Sequence, residues 1–228
     1  VGGEADVGGI SGSMDTELDF DIEKIMASIA STTTDDVEEL ATSTYYCRNI
    51  LTGCINDGVI SGRKENVGGV VGANSVGNVV LSQNYGDVTG NGDYYGGVAG
   101  RSTSAVRRCF AMCTLEGNSY IGGVTGQGKV IEDCSTIVTT DLGAACSGSI
   151  AGWVDMNNEA TCILNNYFVN EDMGGIDGIS YDGVCERVTY DKLLTMKALP
   201  DEFRQLKLTF VVDGEEFETI NFTYGDSL

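Results

Sequence analysis

One five-residue phrase recurs along the chain and limits what it can fold into. Gly68-Gly69-Val70-Val71-Gly72, Gly96-Gly97-Val98-Ala99-Gly100 and Gly122-Gly123-Val124-Thr125-Gly126 are its plainest copies. Gly148-Ser149-Ile150-Ala151-Gly152 changes one glycine, and Gly8-Gly9-Ile10-Ser11-Gly12 stands apart from the rest. From Gly68 onward the copies are 28, 26 and 26 residues apart. A repeat of that period signals stacked units, none able to bury its apolar face alone.

A second column runs in step with the first. Leu51-x-x-Cys54, Val79-x-x-Ser82, Val106-x-x-Cys109, Ile131-x-x-Cys134 and Ile163-x-x-Asn166 share a hydrophobic-x-x-small pattern. A further strand follows it, as at Val59-Ile60 or Val138-Thr139, and then the glycine phrase. Nothing between these strands is long enough for a helix. Short parallel strands stacked coil upon coil, each bonding the coils above and below, satisfy the pattern. The fold class is therefore all-β, a parallel β-solenoid of about five coils over 1–187. Val70, Val98, Val124 and Ile150 are expected to form an inward ladder. Val71, Ala99, Thr125 and Ala151 are expected to face the other way by strand alternation.

The array is interrupted and then closed by other elements. Leu18, Ile22, Ile25, Met26 and Ile29 fall on one face of a helix, so 15–42 reads as a helical insertion. Trp153 to Asn170 reads as one irregular coil. Residues 171–187, with Gly174-Gly175-Ile176-Asp177-Gly178, read as a glycine- and aspartate-rich loop. Tyr190 to Phe203 reads as a short helix within 188–204, with Leu193, Leu194 and Phe203 capping the open end of the stack. In 205–228, Leu206–Val212, Asp213-Gly214 and Glu215–Tyr224 read as a β-hairpin.

Charge and composition exclude several functions. Thirty-four acidic against 13 basic residues give a net charge of -21, which repels phosphate backbones and anionic lipid. Nucleic acid and membrane insertion are therefore not expected. Histidine is absent, which removes Ser-His-Asp and Cys-His catalysis and imidazole zinc sites. No catalytic constellation, metal site or cofactor is expected. The chain opens at Val1 within a repeat, so it is expected to be part of a larger multidomain protein.

Two groups of side chains invite a functional reading. Tyr94 and Tyr120 share a register, two residues before Gly96 and Gly122, and are expected to stack as an outward aromatic pair. Sugar rings stack on such surfaces, so these two are the candidate ligand-binding residues; a ladder that merely stabilises the sheet is the alternative. The eight cysteines divide in the same manner. Cys54, Cys109 and Cys134 sit in a repeating column, where rungs about 4.8 Å apart suit stacked free thiols better than disulfides. Bridges among Cys47, Cys113, Cys146, Cys162 and Cys185 remain open.

The glycine phrase, preceded by a strand such as Cys54 to Ile60, resembles the GLUG motif over about residues 1–170. The resemblance implies a right-handed parallel β-solenoid in a secreted or surface-attached, adhesin-like bacterial protein. Its partners would be a host or bacterial surface protein or a glycan. Thr209-Phe210-Val211-Val212-Asp213-Gly214 with Tyr224-Gly225-Asp226-Ser227-Leu228 is similar to the opening of a Listeria–Bacteroides-type β-grasp repeat, which occurs in tandem in surface proteins. The expected function is a non-catalytic structural and interaction segment. A glycan-binding module at Tyr94 and Tyr120 is one rival. A polysaccharide-cleaving solenoid, drawing on Arg101, Arg107, Arg108 and Lys129, is the other.

Overall fold

The glycine phrases lie directly on top of one another. In the computed structural model, which describes residues 1–15, 49–140, 144–177, 184–196 and 198–226, Gly8 pairs with Gly68, Gly68 with Gly96, Gly96 with Gly122 and Gly122 with Gly148. All these pairings are parallel. The helix expected within 15–42 lies, from residue 16 on, outside the described residues, as does Cys47.

Four parallel sheets form the walls. Sheet 1 stacks Val7–Gly8, Val67–Gly68, Asp93–Gly96, Ser119–Gly122 and Ala145–Gly148. Sheet 2 stacks Ser11–Met14, Val71–Asn74, Ala99–Ser102, Thr125–Gly128 and Ala151–Val154. Sheet 3 stacks Ile50–Thr52, Asn78–Val80, Ala105–Arg107, Val130–Glu132 and Cys162–Leu164. Sheet 4 is the longest and runs from Gly2–Gly3 to Cys185–Arg187, with Phe110–Leu115 and Ser135–Thr140 as its widest rungs. The stack makes about four turns rather than about five coils. The coil after Trp153 is irregular.

The glycine phrase is a corner and not a strand, which corrects the expected alternation. The Val70 and Val71 amides both donate to the Val98 carbonyl, at 2.9 and 3.0 Å. Val98 and Ala99 do the same to the Val124 carbonyl, at 3.0 and 2.9 Å. Two successive amides aimed at one acceptor mean that the chain bends between them, so the period of two fails there. Val70, Val98, Val124 and Ile150 are fully buried, and so are Val71, Ala99, Thr125 and Ala151. Two inward ladders meet where one was expected.

A sixth pass of the phrase stands where a loop was expected. Gly174 lies 26 residues after Gly148. Its carbonyl accepts from Ser149 at 2.7 Å, the Gly175 carbonyl accepts from Ile150 and Ala151, and Ile176 bridges Ala151. Gly174 and Gly175 therefore continue the stack. Asp177 follows in the left-handed region, with φ 41°.

The segment after residue 188 packs on the side of the solenoid and does not cap its end. Helix α1 spans Tyr190–Leu194, capped by Thr189, whose hydroxyl accepts from the Lys192 amide. It stops well short of Phe203. Pro200 disfavours helix at the residue before it, and only a 3-10 turn, Asp201–Arg204, follows. Leu193, Leu194 and Phe203 are buried against Phe110, on the outer surface of sheet 4. The Phe203 ring meets Phe110 and Tyr85 edge to face, at 5.9 and 6.4 Å between centroids. Sheet 4 carries apolar side chains on both faces. The outer set, with Met112, Ile137 and Tyr167, attracts α1 because each buried side chain is worth about 1.5–3 kcal/mol.

The terminal hairpin pairs Gln205–Val212 with Glu215–Thr223 across Asp213-Gly214, both left-handed, at φ 53° and 84°. Tyr224 fastens it to α1 by an edge-to-face contact with Tyr190 and a hydroxyl bond to Asp191, and its amide donates to the Arg204 carbonyl of the 3-10 turn. Its strands pair with each other and with no other described strand.

Candidate functional site

Two of the solenoid's corners are turned by a left-handed residue in each coil. The first column is Asp6, Asn66, Tyr94, Tyr120 and Cys146, with φ between 50° and 63°. The second is Gly53, Leu81, Arg108, Asp133 and Asn165, with φ between 50° and 64°. A left-handed residue turns the chain sharply but strains a side chain by about 1–2 kcal/mol. The stack repeats the strain because each corner must match the one below it. Side chains from such corners stand outward, so each column is a ready-made surface ladder.

The second column has a local chemical cause. In three successive coils the small residue just after the corner donates back across it. Ser82 Oγ donates to the Val80 carbonyl at 3.1 Å, Cys109 Sγ to the Arg107 carbonyl at 3.3 Å and Cys134 Sγ to the Glu132 carbonyl at 3.3 Å. Asn166 accepts from the Cys134 amide at 3.0 Å. The cysteine column is thus a hydrogen-bonding device, and the seven described cysteines are all free thiols. Burial pushes the Cys134 thiol up and Cys185 up to about 12, so neither ionises near neutral pH. Cys162 is exposed, yet its thiol donates to Glu132 Oε1 at 3.1 Å, and that carboxylate raises its pKa.

Tyr94 and Tyr120 meet as expected. Their rings are stacked, 4.7 Å between centroids and 13° apart in plane. The Arg101 guanidinium lies over the Tyr94 ring at 5.5 Å. Each tyrosine therefore covers one face of the other, and Arg101 lies against Tyr94 as well. The outer face of Tyr120, toward Cys146, is the broader aromatic surface left for a ligand. Below Tyr94 the ladder turns polar: Asn66 Nδ2 donates to Asp6 Oδ1 at 2.8 Å. A cleft of about 420 Å³ opens there, lined by Asp6, Asp15, Asn66 and Arg101 among others.

The basic residues that a polysaccharide-cleaving site would need do not converge. Arg101 lies over Tyr94 on sheet 2. Arg107 on sheet 3 is paired through Nε with Glu132 and donates to Asn78 Oδ1 at 3.0 Å. That guanidinium, helped by the Cys162 thiol, holds the Glu132 carboxyl below the usual range. Arg108 turns out at the second corner. Among the described residues, no group of three or more acidic or cysteine side chains gathers as a metal site.

Sequence reasoning missed the larger cleft. It measures about 720 Å³ and lies between the second left-handed column and the segment around α1. Its wall includes Leu81, Arg108, Asp133 and Asn165, one residue from each of four successive coils. The signal was present, since each of these immediately precedes the small residue of the hydrophobic-x-x-small column. What the sequence did not carry was the position of the other wall.

Compared with protein-family models, with characterised proteins and with solved structures, the chain gives no match.

Proposed function

We propose that this chain is a non-catalytic structural and interaction segment of a bacterial cell-surface or secreted, adhesin-like protein. The reading is supported by the unbroken register of its rungs. Sheets 1 to 3 keep equivalent residues in contact through five strands each. Such a stack is stiff along its axis and presents side chains at fixed steps of about 4.8 Å, which suits a spacer that displays binding surfaces. The acidic surface keeps the rod soluble and discourages edge-to-edge association. The extracellular setting rests on the resemblance of the glycine phrase to GLUG repeats.

One observation favours a second reading, glycan binding at Tyr94 and Tyr120. The Tyr94 side of the stacked pair adjoins polar groups suited to sugar hydroxyls, Arg101 and Asn66 among them. The protein, immobilised and probed on a glycan array and against acidic polysaccharides, separates the readings. The scaffold reading expects no polysaccharide cleavage. Glycan retention that disappears in the Tyr94→Ala, Tyr120→Ala double variant adds the second reading, and retention that survives it removes that site. Turnover of a polysaccharide by the protein, lost in Arg107→Ala, would overturn both.

A further inference from the structure

The cleft beside α1 carries an inference independent of the scaffold reading. Its volume of about 720 Å³ falls within the range of small-molecule sites, roughly 300–1,000 Å³. The floor is apolar and aromatic: Phe110 and Tyr167 from sheet 4, with Met196 and Leu199 from the segment after α1. These residues belong to the packing cluster outside the solenoid, so the floor is rigid where Phe203 holds it.

The charges at the mouth are unequal in their commitments. Asp133 Oδ1 already accepts from Asn165 Nδ2 at 3.3 Å, and Glu186 is also engaged in an interaction of its own. Arg108 and Lys192 line the same cleft and are exposed, and neither side chain has a hydrogen-bond or ion-pair partner among the described residues. Lys192 comes from α1 and Arg108 from the left-handed corner of a solenoid coil, so two cations from opposite walls face one opening. On a chain with 34 acids and 13 bases, a cleft lined by two cations against two acids, Asp133 and Glu186, beside an aromatic floor is far less negative than the surface as a whole. A guanidinium fork accepts a carboxylate by two parallel hydrogen bonds, and an ammonium adds a point charge.

We infer that this cleft binds a small organic anion, a carboxylate on a flat apolar body, with the body on Phe110 and Tyr167 and the carboxylate between Arg108 and Lys192. Nothing here requires chemistry on the ligand. The site would let the rod take up an aryl or acyl acid on its flank.

Titration calorimetry of the full chain with 2-naphthoate, and with the uncharged 2-naphthamide of matching shape, tests the inference. Binding of the acid is expected, with the amide weaker by about tenfold or more, as loss of a charged hydrogen-bonding partner implies. Arg108→Ala and Lys192→Ala should each weaken the acid about tenfold and leave the amide unchanged. Both residues are exposed, so these variants should fold, as far-ultraviolet circular dichroism will show. Phe210→Asp, on the hairpin, should leave binding unchanged and so separates the cleft from that exposed apolar face. No heat with 2-naphthoate at millimolar concentration, equal binding of acid and amide, or loss of binding only in Phe210→Asp would each overturn the inference.

Discussion

The solenoid body and the terminal hairpin both rely on glycine, for opposite reasons. In the body, the first glycine of each phrase is crowded. A Cβ on Gly96 or Gly122 would lie 1.9 Å from the carbonyl oxygen three residues on, and one on Gly68 2.1 Å away. None of these three has a left-handed φ. In the hairpin, a Cβ on Gly214 would meet nothing within 4 Å, but the backbone there sits at φ 84°. The body needs glycine for space, and the hairpin needs it for conformation. Stacked coils press each corner onto the next, whereas a solvated turn presses on nothing.

The comparison can be broken most sharply at Gly122. Gly122→Ala must push against the Thr125 carbonyl and, at 2.7 Å, the Ala151 Cα of the next coil. A loss of more than about 4 kcal/mol is expected in urea unfolding, because backbone on two coils would have to move. A loss under about 1 kcal/mol would mean that the corner is looser than the stack implies.

Phe203→Ala tests whether flank and body are one unit. The ring is fully buried, but in the outer cluster and not in the core of the coils. A loss of about 3 kcal/mol is expected, confined to the flank. In hydrogen exchange, amides of Cys185–Arg187, α1 and the hairpin should lose protection while those of the glycine phrases keep it. Equal loss in both would make the molecule a single cooperative block.

The smallest effect belongs to the hairpin. Gly214→Ala should cost about 1–2 kcal/mol of hairpin stability, since space is free and only the left-handed φ is penalised. Gly214→Asn should cost less, because asparagine tolerates that region. Exchange rates of the hairpin amides would report the difference, and the solenoid amides should not respond.

Much of this was legible because a repeat reports its own neighbours. Residues 26 to 28 apart touch, as the pairing of Tyr95 with Val67 and Ile121 shows, so the sequence interval became a spatial contact. The Tyr94–Tyr120 stack followed from the same logic. The opposite facing expected of Val70 and Val71 fails because alternation assumes a straight strand, and the phrase bends in its middle so that both point inward. The pass at Gly174 was missed for a different reason: its Gly-Gly-Ile-x-Gly pattern fits, but the coil before it is irregular and hid the step.

The amino-acid sequence alone determined the stack, its register and its outward tyrosine ladder, since these follow from period and local chemistry. Only the tertiary structure decided where the non-repeating segment after residue 188 would lie. Its apolar residues Leu193, Leu194 and Phe203 needed an apolar surface; sequence reasoning pointed to the open end of the solenoid, and the outer face of sheet 4 took them instead. The aromatic cluster of Tyr85, Phe110 and Tyr167 settled the choice. Those residues come from three different coils, and hydrophobic burial rewards shape and area in space, which no spacing along the chain records. The cleft between Arg108 and Lys192 exists only because of that choice.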